Sequence, residues 1–229
     1  MRHDQTEIDP IPPNNASRHY VNELKRKGFH FLSAGIPIGY YLTDYMTSMI
    51  TIGSLLGIAI VTEYLRFYSS RFNEIFDKIF GSLLRDEEKT GYSGATFLLI
   101  SSFLVIMIFH KEIAILCLLF LVFGDGFAAV IGKKFGRTRL FGKTIEGSLA
   151  FAVVSIAVSF VFPYVPFAIR LTGALIAALV EILPMQTSDN LRIPIISGSI
   201  MEIMYVQSQR ETDLFNQHEI LVHWFSALQ

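Results

Sequence analysis

Asp125 lies inside one apolar run and Glu146 stands at the mouth of another. The stretch between them carries five cations (Lys133, Lys134, Arg137, Arg139 and Lys143) and four glycines (Gly126, Gly132, Gly136 and Gly142). A carboxylate within a membrane span costs several kcal/mol on insertion scales, on the order of 2.5–3.5 at a helix centre, so Asp125 needs a cation, a metal or water nearby. Asp125, Ala128, Ala129, Gly132 and Gly136 follow helical spacing and form one small-residue face, open to close approach by a ligand or by another helix. Beyond that face, GKTIEG leads straight into the next apolar run. Unpaired N–H groups at a helix start carry partial positive charge, glycines admit a phosphate closely, and Lys143 and Thr144 add a full charge and a hydroxyl. Phosphate is the ligand this arrangement fits, with Lys143, Thr144 and Gly147 as its holders and Gly132, Lys133 and Gly136 beside them.

A P-loop reading of GKT fails on spacing. GRTRLFGKT has five residues between Gly136 and Gly142 where the Walker pattern has four, and no strand of a soluble βαβ unit precedes it. Phosphoryl transfer calls for a divalent ion bridging phosphate oxygens, and Mg²⁺ takes one or two carboxylates, with water and phosphate completing its shell. Asp125, Glu146 and Asp189 are candidate ligands at helix ends. Asp189 and Asn190 fall in a turn-rich connection, EILPMQTSDNLRIP, where such a pair serves either as a helix cap or in a site.

These residues need a scaffold, and composition points to one of membrane helices. Of 229 residues 52% are hydrophobic and only 17% charged, too oily for an ordinary soluble domain. No broad basic face exists for nucleic acid. The lone cysteine, Cys117, excludes an intrachain disulfide and a cysteine-built metal site. Apolar runs near 29–43, 47–65, 95–109, 113–131, 147–162, 167–183 and 193–206 predict an all-α, polytopic integral membrane protein of about seven transmembrane helices. Residues 1–22 are expected to be a flexible cytoplasmic tail, 23–206 a single transmembrane catalytic domain, and 207–229 an amphipathic helical tail. With the amino terminus cytoplasmic, 16 Lys and Arg fall on that side and 3 on the other, which satisfies the positive-inside rule and turns every long loop to the cytoplasm. That fits a bacterial or archaeal cell membrane or the endoplasmic reticulum.

Phe72, Ile75, Phe76, Ile79, Phe80, Leu83 and Leu84 recur at helical spacing opposite Arg71, Asn73, Glu74, Asp77 and Lys78. This predicts an amphipathic helix lying in the interface or capping the spans. Leu214, Leu221, Trp224, Phe225 and Leu228 repeat the pattern more weakly, a face open to docking or to a homo-oligomer contact.

With these residues in hand, the sequence resembles the membrane family of CTP-dependent lipid-alcohol kinases: dolichol kinase, phytol and other prenol kinases, and the CTP-using diacylglycerol kinase. The likeness spans residues 23 to 206. It rests on ELKRKGFH (Glu23 to His30), RDEEKTGYSGAT (Arg85 to Thr96), GDGFAAVIGKKFG (Gly124 to Gly136), GKTIEGSLA (Gly142 to Ala150) and SDN (Ser188 to Asn190). The resemblance implies CTP as phosphoryl donor, Mg²⁺ as cofactor and a lipid hydroxyl at the cytoplasmic interface as acceptor. Lys143, Thr144, Gly147 and Asn190 would then attend the nucleotide, Asp125 and Asp189 the metal. Asp125 or Glu146 would accept the hydroxyl proton. The resemblance also marks Arg26, Lys27, His30, Glu63, Arg85 and Glu88 as site or supporting residues. Snorkelling anchors explain Arg26 and Lys27 equally well, and Glu63 and Arg66, three apart on one helix face, are spaced to pair.

Two alternatives stand beside this reading. CTP:phosphatidate cytidylyltransferases share the glycine-rich and KT-x-EG features, but their proline and lysines before KT-x-EG and their late glycine-aspartate segment are missing here. An ion-coupled transporter would need polar residues at mid-membrane depth in more than one span, whereas these charges sit at span ends.

Overall fold

The computed structural model describes residue 28 and residues 30–84, 87–184 and 187–227, with side chains described through residue 212. Arg26, Lys27, Arg85, the 1–22 tail and the apolar face beyond residue 212 lie outside that description.

The chain is mostly helical. Residues 30–32 lead through a turn into α1 (Gly35–Leu42), followed by α2 (Tyr45–Tyr68) and α3 (Ser70–Phe80). After a 3₁₀ turn at Glu87–Lys89 come α4 (Gly94–Ile108) and α5 (Lys111–Leu119), which continues through a π-helical segment, Phe120–Asp125, into α6 (Gly126–Phe135). A two-stranded hairpin, β1 (Arg139–Leu140) and β2 (Lys143–Thr144), precedes α7 (Ile145–Ser159), α8 (Phe167–Ile182) and α9 (Asp189–Ala227). The hairpin corrects the all-helical expectation. Its antiparallel register pairs Arg139 with Thr144 and Leu140 with Lys143 around Phe141 and Gly142. Both turn residues have positive φ (51° and 85°), the backbone that makes a two-residue turn follow the strand twist.

The seven apolar runs each fall on a helix, but length separates them. Two helices, Tyr45–Tyr68 and the continuous Lys111–Phe135, are long and apolar enough to cross a membrane, while Gly94–Ile108 and Ile145–Ser159 are shorter apolar helices. The two long ones play opposite roles. Ile113 to Val122 are almost wholly buried, and α1, α4, α7 and α9 pack around that segment as the core of the molecule. On α2, Ile50, Ile58, Val61 and Tyr64 are exposed, the expected surface of a helix that meets lipid rather than protein.

Local chemistry sets the helix starts. Asp44, Ser69, Ser93 and Thr144 each accept a hydrogen bond from the backbone N–H three residues on, satisfying a donor the helix cannot pair internally. In α9, Pro194 has no N–H to give the carbonyl of Asn190, four residues earlier. Ser101 Oγ supplies the replacement at 2.6 Å, tying the start of α9 to the middle of α4. The amphipathic expectation for residues 72–84 is met over α3, and its docking is visible: the Arg66 guanidinium lies 4.7 Å from the Phe76 ring centroid.

Candidate functional site

Asp125 closes the π segment, a widened turn that shifts the side chains after it and that recurs at functional positions in helices. Glycines flank it. A Cβ on Gly124 would meet the Phe151 ring at 2.7 Å and one on Gly126 the Phe31 ring at 2.5 Å, so both rings press against bare backbone on either side of the carboxylate. His30 Nε2 stands 3.5 Å from Asp125 Oδ2 and 3.3 Å from the Leu121 carbonyl oxygen.

Asp125 opens onto a cavity of about 320 Å³ with a mixed lining. Its polar residues include His30, Glu63, Glu88, Asp125, Asp189 and Asn190, and its apolar ones include Ala59, Phe76, Phe80, Leu83, Leu84 and Leu98. The amphipathic helix α3 thus contributes wall as well as surface. Such a chamber suits a ligand with a charged or hydroxylated end and a hydrocarbon end.

The segment from Glu87 to Thr96 is anchored beside the cavity by buried charge. Glu63 Oε1 accepts from Ser93 N–H (2.8 Å) and Thr96 Oγ1 (2.9 Å), and Oε2 accepts from Arg66 at 2.5 Å. Arg66 also donates to the Glu88 carbonyl at 2.9 Å. The pairing of Glu63 with Arg66 expected from spacing is present, and it organises a third element. Asn190 donates its amide to the Gly94 carbonyl at 2.8 Å, so one of its polar groups supports the N-terminus of α4. A side chain at Gly94 would crowd both the Asn190 amide nitrogen and Glu88 Oε1, at 3.0 and 3.1 Å.

Lys143, on β2, points between two carboxylates, with Nζ 2.8 Å from Glu181 Oε1 and 2.8 Å from Asp189 Oδ2. Asp189 Oδ1 is held in turn by Arg192, through Nε at 2.8 Å and a second guanidinium nitrogen. Burial is the strongest influence on the Lys143 ammonium and lowers its pKa, but Asp189 and Glu181 together outweigh it and raise the value above that of an ordinary lysine.

The glycines do other work than expected for a phosphate cradle. A Cβ on Gly132 would meet Thr144 Oγ1 at 2.5 Å; one on Gly147 would meet Thr144 Oγ1 at 2.8 Å and the Ala128 carbonyl at 2.9 Å. They let α6 and α7 touch through backbone, the use that small-residue faces have in helix packing. Gly136 is likewise filled by the Thr144 side chain, and the Gly147 N–H is taken by Thr144 Oγ1 at 3.2 Å. Replacing Gly147 with valine is expected to part α6 from α7 at a cost of about 1–3 kcal/mol, read as a lower thermal midpoint in detergent. An unchanged midpoint would contradict this packing role.

Glu146 is partly exposed and does not line the cavity. It accepts from Thr138 N–H at 3.2 and 3.4 Å and braces the hairpin base. Its own backbone N–H, then the Arg137 and Thr138 amides and the Arg137 charge, hold its carboxyl below the usual range against a smaller opposing effect of burial. Lys133 is exposed in the last turn of α6, also off the cavity. The structure therefore brings His30, Glu63, Glu88, Asp125, Asp189 and Asn190 around one cavity and joins Lys143 to it through Asp189. Gly132, Lys133, Gly136, Thr144, Glu146 and Gly147 stay outside its lining.

Sequence reasoning missed Glu181, Arg192, Ser93 and Thr96 as members of these networks. Glu181 was within reach: a carboxylate in the apolar run 167–183 faces the same desolvation cost as Asp125 and needs a partner for the same reason. Among the described residues no group of three or more His, Cys, Asp or Glu side chains forms a ready metal cage. Of the four carboxylates that line the cavity, Asp125 and Asp189 are oxygen donors of the type Mg²⁺ takes, with water and phosphate oxygen in its remaining positions.

Two helices long and apolar enough to cross a bilayer, in a mostly helical chain with an ionic cluster beside a cavity, point to a membrane protein. The chain is 28% identical over 183 residues to an uncharacterized protein of Rickettsia prowazekii, covering 76% of this chain and 90% of that one. It is 25% identical over 206 residues to the CTP-dependent diacylglycerol kinase 1 of Schizosaccharomyces pombe, covering 80% and 94% of the two chains. With the enzyme of the same name from Eremothecium gossypii it shares 24% identity over 219 residues, 82% of this chain and 69% of that one. No protein-family model and no solved structure matches the chain. Similarity over most of its length supports the CTP-dependent lipid kinase family, and a lipid kinase enzyme, for this protein.

Proposed function

We propose that the protein transfers the γ-phosphate of CTP to the hydroxyl of a membrane lipid alcohol, such as a polyprenol, dolichol, phytol or diacylglycerol, giving a lipid monophosphate and CDP. The observation that carries the reading is the mixed lining of one cavity, where Asp125 and Asp189 are joined by Phe76, Phe80 and Leu98. The 16 to 3 division of Lys and Arg supports a cytoplasmic site in a protein of about seven membrane helices, some short enough to need a locally thinned bilayer.

In this mechanism the hydrocarbon end of the acceptor rests against α3 and α4, which turns its hydroxyl toward Asp125. The Asp125 carboxylate accepts the hydroxyl proton as the oxygen bonds to the γ-phosphorus, and the bond from that phosphorus to the oxygen bridging to the β-phosphate breaks. CDP leaves with the electron pair of that bond. Asp125 lines the cavity and Glu146 does not, which favours Asp125 as the base. Lys143 contributes positive charge to the phosphates, and the buried pair Glu63–Arg66 keeps the Glu88 segment in place. Mg²⁺, for which Asp125 and Asp189 are the candidate ligands, would supply neutralisation of phosphate charge.

The test is to incubate the purified full-length protein with γ-labelled CTP, Mg²⁺ and, separately, phytol, a polyprenol, diacylglycerol and phosphatidate. Label transferred to an alcohol is the expected result. Release of labelled pyrophosphate with a CDP-lipid product would establish a cytidylyltransferase instead.

A further inference from the structure

Glu181 stands where two effects disfavour a carboxylate. It is 4% exposed in an apolar helix, and it occupies the last turn of α8, where carbonyl oxygens concentrate negative charge. Both of its oxygens are engaged: Oε1 with Lys143 at 2.8 Å and Oε2 as acceptor from Ser148 Oγ at 2.8 Å. Arg192 donates to the Leu183 carbonyl at 2.9 Å, relieving one carbonyl at that helix end. Lys143, Arg192, Glu181 and Asp189 then form a neutral quartet, two cations against two anions.

The two anions are not equivalent. Asp189 lines the cavity and is shared with Arg192, so it is the one a metal–nucleotide complex would reach. Glu181 does not line the cavity and is braced from behind by Ser148. We propose that Glu181 is a positioning residue: it holds the Lys143 ammonium beside Asp189 and keeps it there when Asp189 engages the incoming nucleotide. The proposal rests on the reading of Lys143 as a ligand of the nucleotide phosphates. Without Glu181, Lys143 would depend on one carboxylate already divided between two cations.

The experiment follows Lys143 directly. The full-length protein in detergent is acylated with an isotope-coded amine reagent across an alkaline pH series, and the Lys143 peptide is quantified by mass spectrometry. Glu181→Gln is expected to move the labelling midpoint to lower pH and to raise KM for CTP about tenfold, a change in keeping with loss of one hydrogen bond to a charged group, with kcat less affected. Ser148→Ala is expected to act in the same direction with a smaller change. A lower thermal midpoint with unaltered Lys143 labelling in Glu181→Gln would mean a purely structural role and overturn the proposal. Should that variant fail to fold, unaltered labelling in Ser148→Ala overturns it equally. Labelling does not depend on turnover: a shifted midpoint with unchanged KM for CTP would uphold the positioning role and refute Lys143 as a phosphate ligand.

Discussion

Asp125→Asn is expected to lower kcat for transfer from CTP to lipid by about a thousandfold, within the range of 10²–10⁴ found when a positioned acid or base is lost. The carboxamide has nearly the same size, so the flanking Phe31 and Phe151 contacts survive and the helical circular dichroism should stay that of the parent. What disappears is the negative charge that can take a proton or bind a divalent ion, at a wall of the cavity that also holds His30 within 3.5 Å. The comparison variant is Glu146→Gln. Because Glu146 braces an exposed hairpin off the cavity, its loss should cost far less than that of Asp125. A fully active Asp125→Asn protein, or a dead Glu146→Gln beside it, would move the chemistry to the other carboxylate.

The largest effect on stability is expected at Glu63→Ala. Glu63 is 2% exposed and accepts from Arg66, Ser93 and Thr96 at once. Removing it leaves a guanidinium buried, and Arg66 Nε already lacks a hydrogen-bond partner among the described residues. Breaking a buried pair by deleting one member costs about 3–5 kcal/mol, because the surviving charge is stranded away from water. That corresponds to a fall in thermal midpoint of roughly 10 °C for a chain of this size. Glu63→Gln, which keeps an acceptor for Ser93 and Thr96, should lose less. A midpoint unchanged in Glu63→Ala would show that Arg66 finds water or another anion. Activity should fall with stability here, since the same pair holds the Glu88 segment against the cavity.

How legible this was depended on the range of the interaction. Glu63 and Arg66 could be paired from spacing alone because a helix brings residues three apart together whatever surrounds it. Asp125 demanding company was readable too, because an apolar run announces the cost of a charge inside it. Long-range relations were not readable. Lys143 meets Glu181 and Asp189 across 38 and 46 positions: the apolar run around Glu181 says that it needs a partner, but nothing local says that the partner is Lys143. Gly132 and Gly147 could admit a phosphate or a helix backbone on sequence alone, and their packing role is visible only in the approach of α6 to α7. The hairpin escaped because its turn is Phe-Gly rather than Asn-Gly and its strands are two residues long, too short to show alternation. Hydropathy found the helices but could not rank their surroundings, since the apolar residues of α2 face outward and those of α5 face inward.

The π segment has a bearing on any helical-wheel drawing of Lys111–Phe135. Wheels assume a constant 100° advance per residue, and a wide turn at Phe120–Asp125 resets that phase partway along. The stripe that packs ahead of it and the stripe that packs after it therefore belong to two separate projections. Asp125 sits at their seam, and a single wheel for the whole helix would assign it a false azimuth.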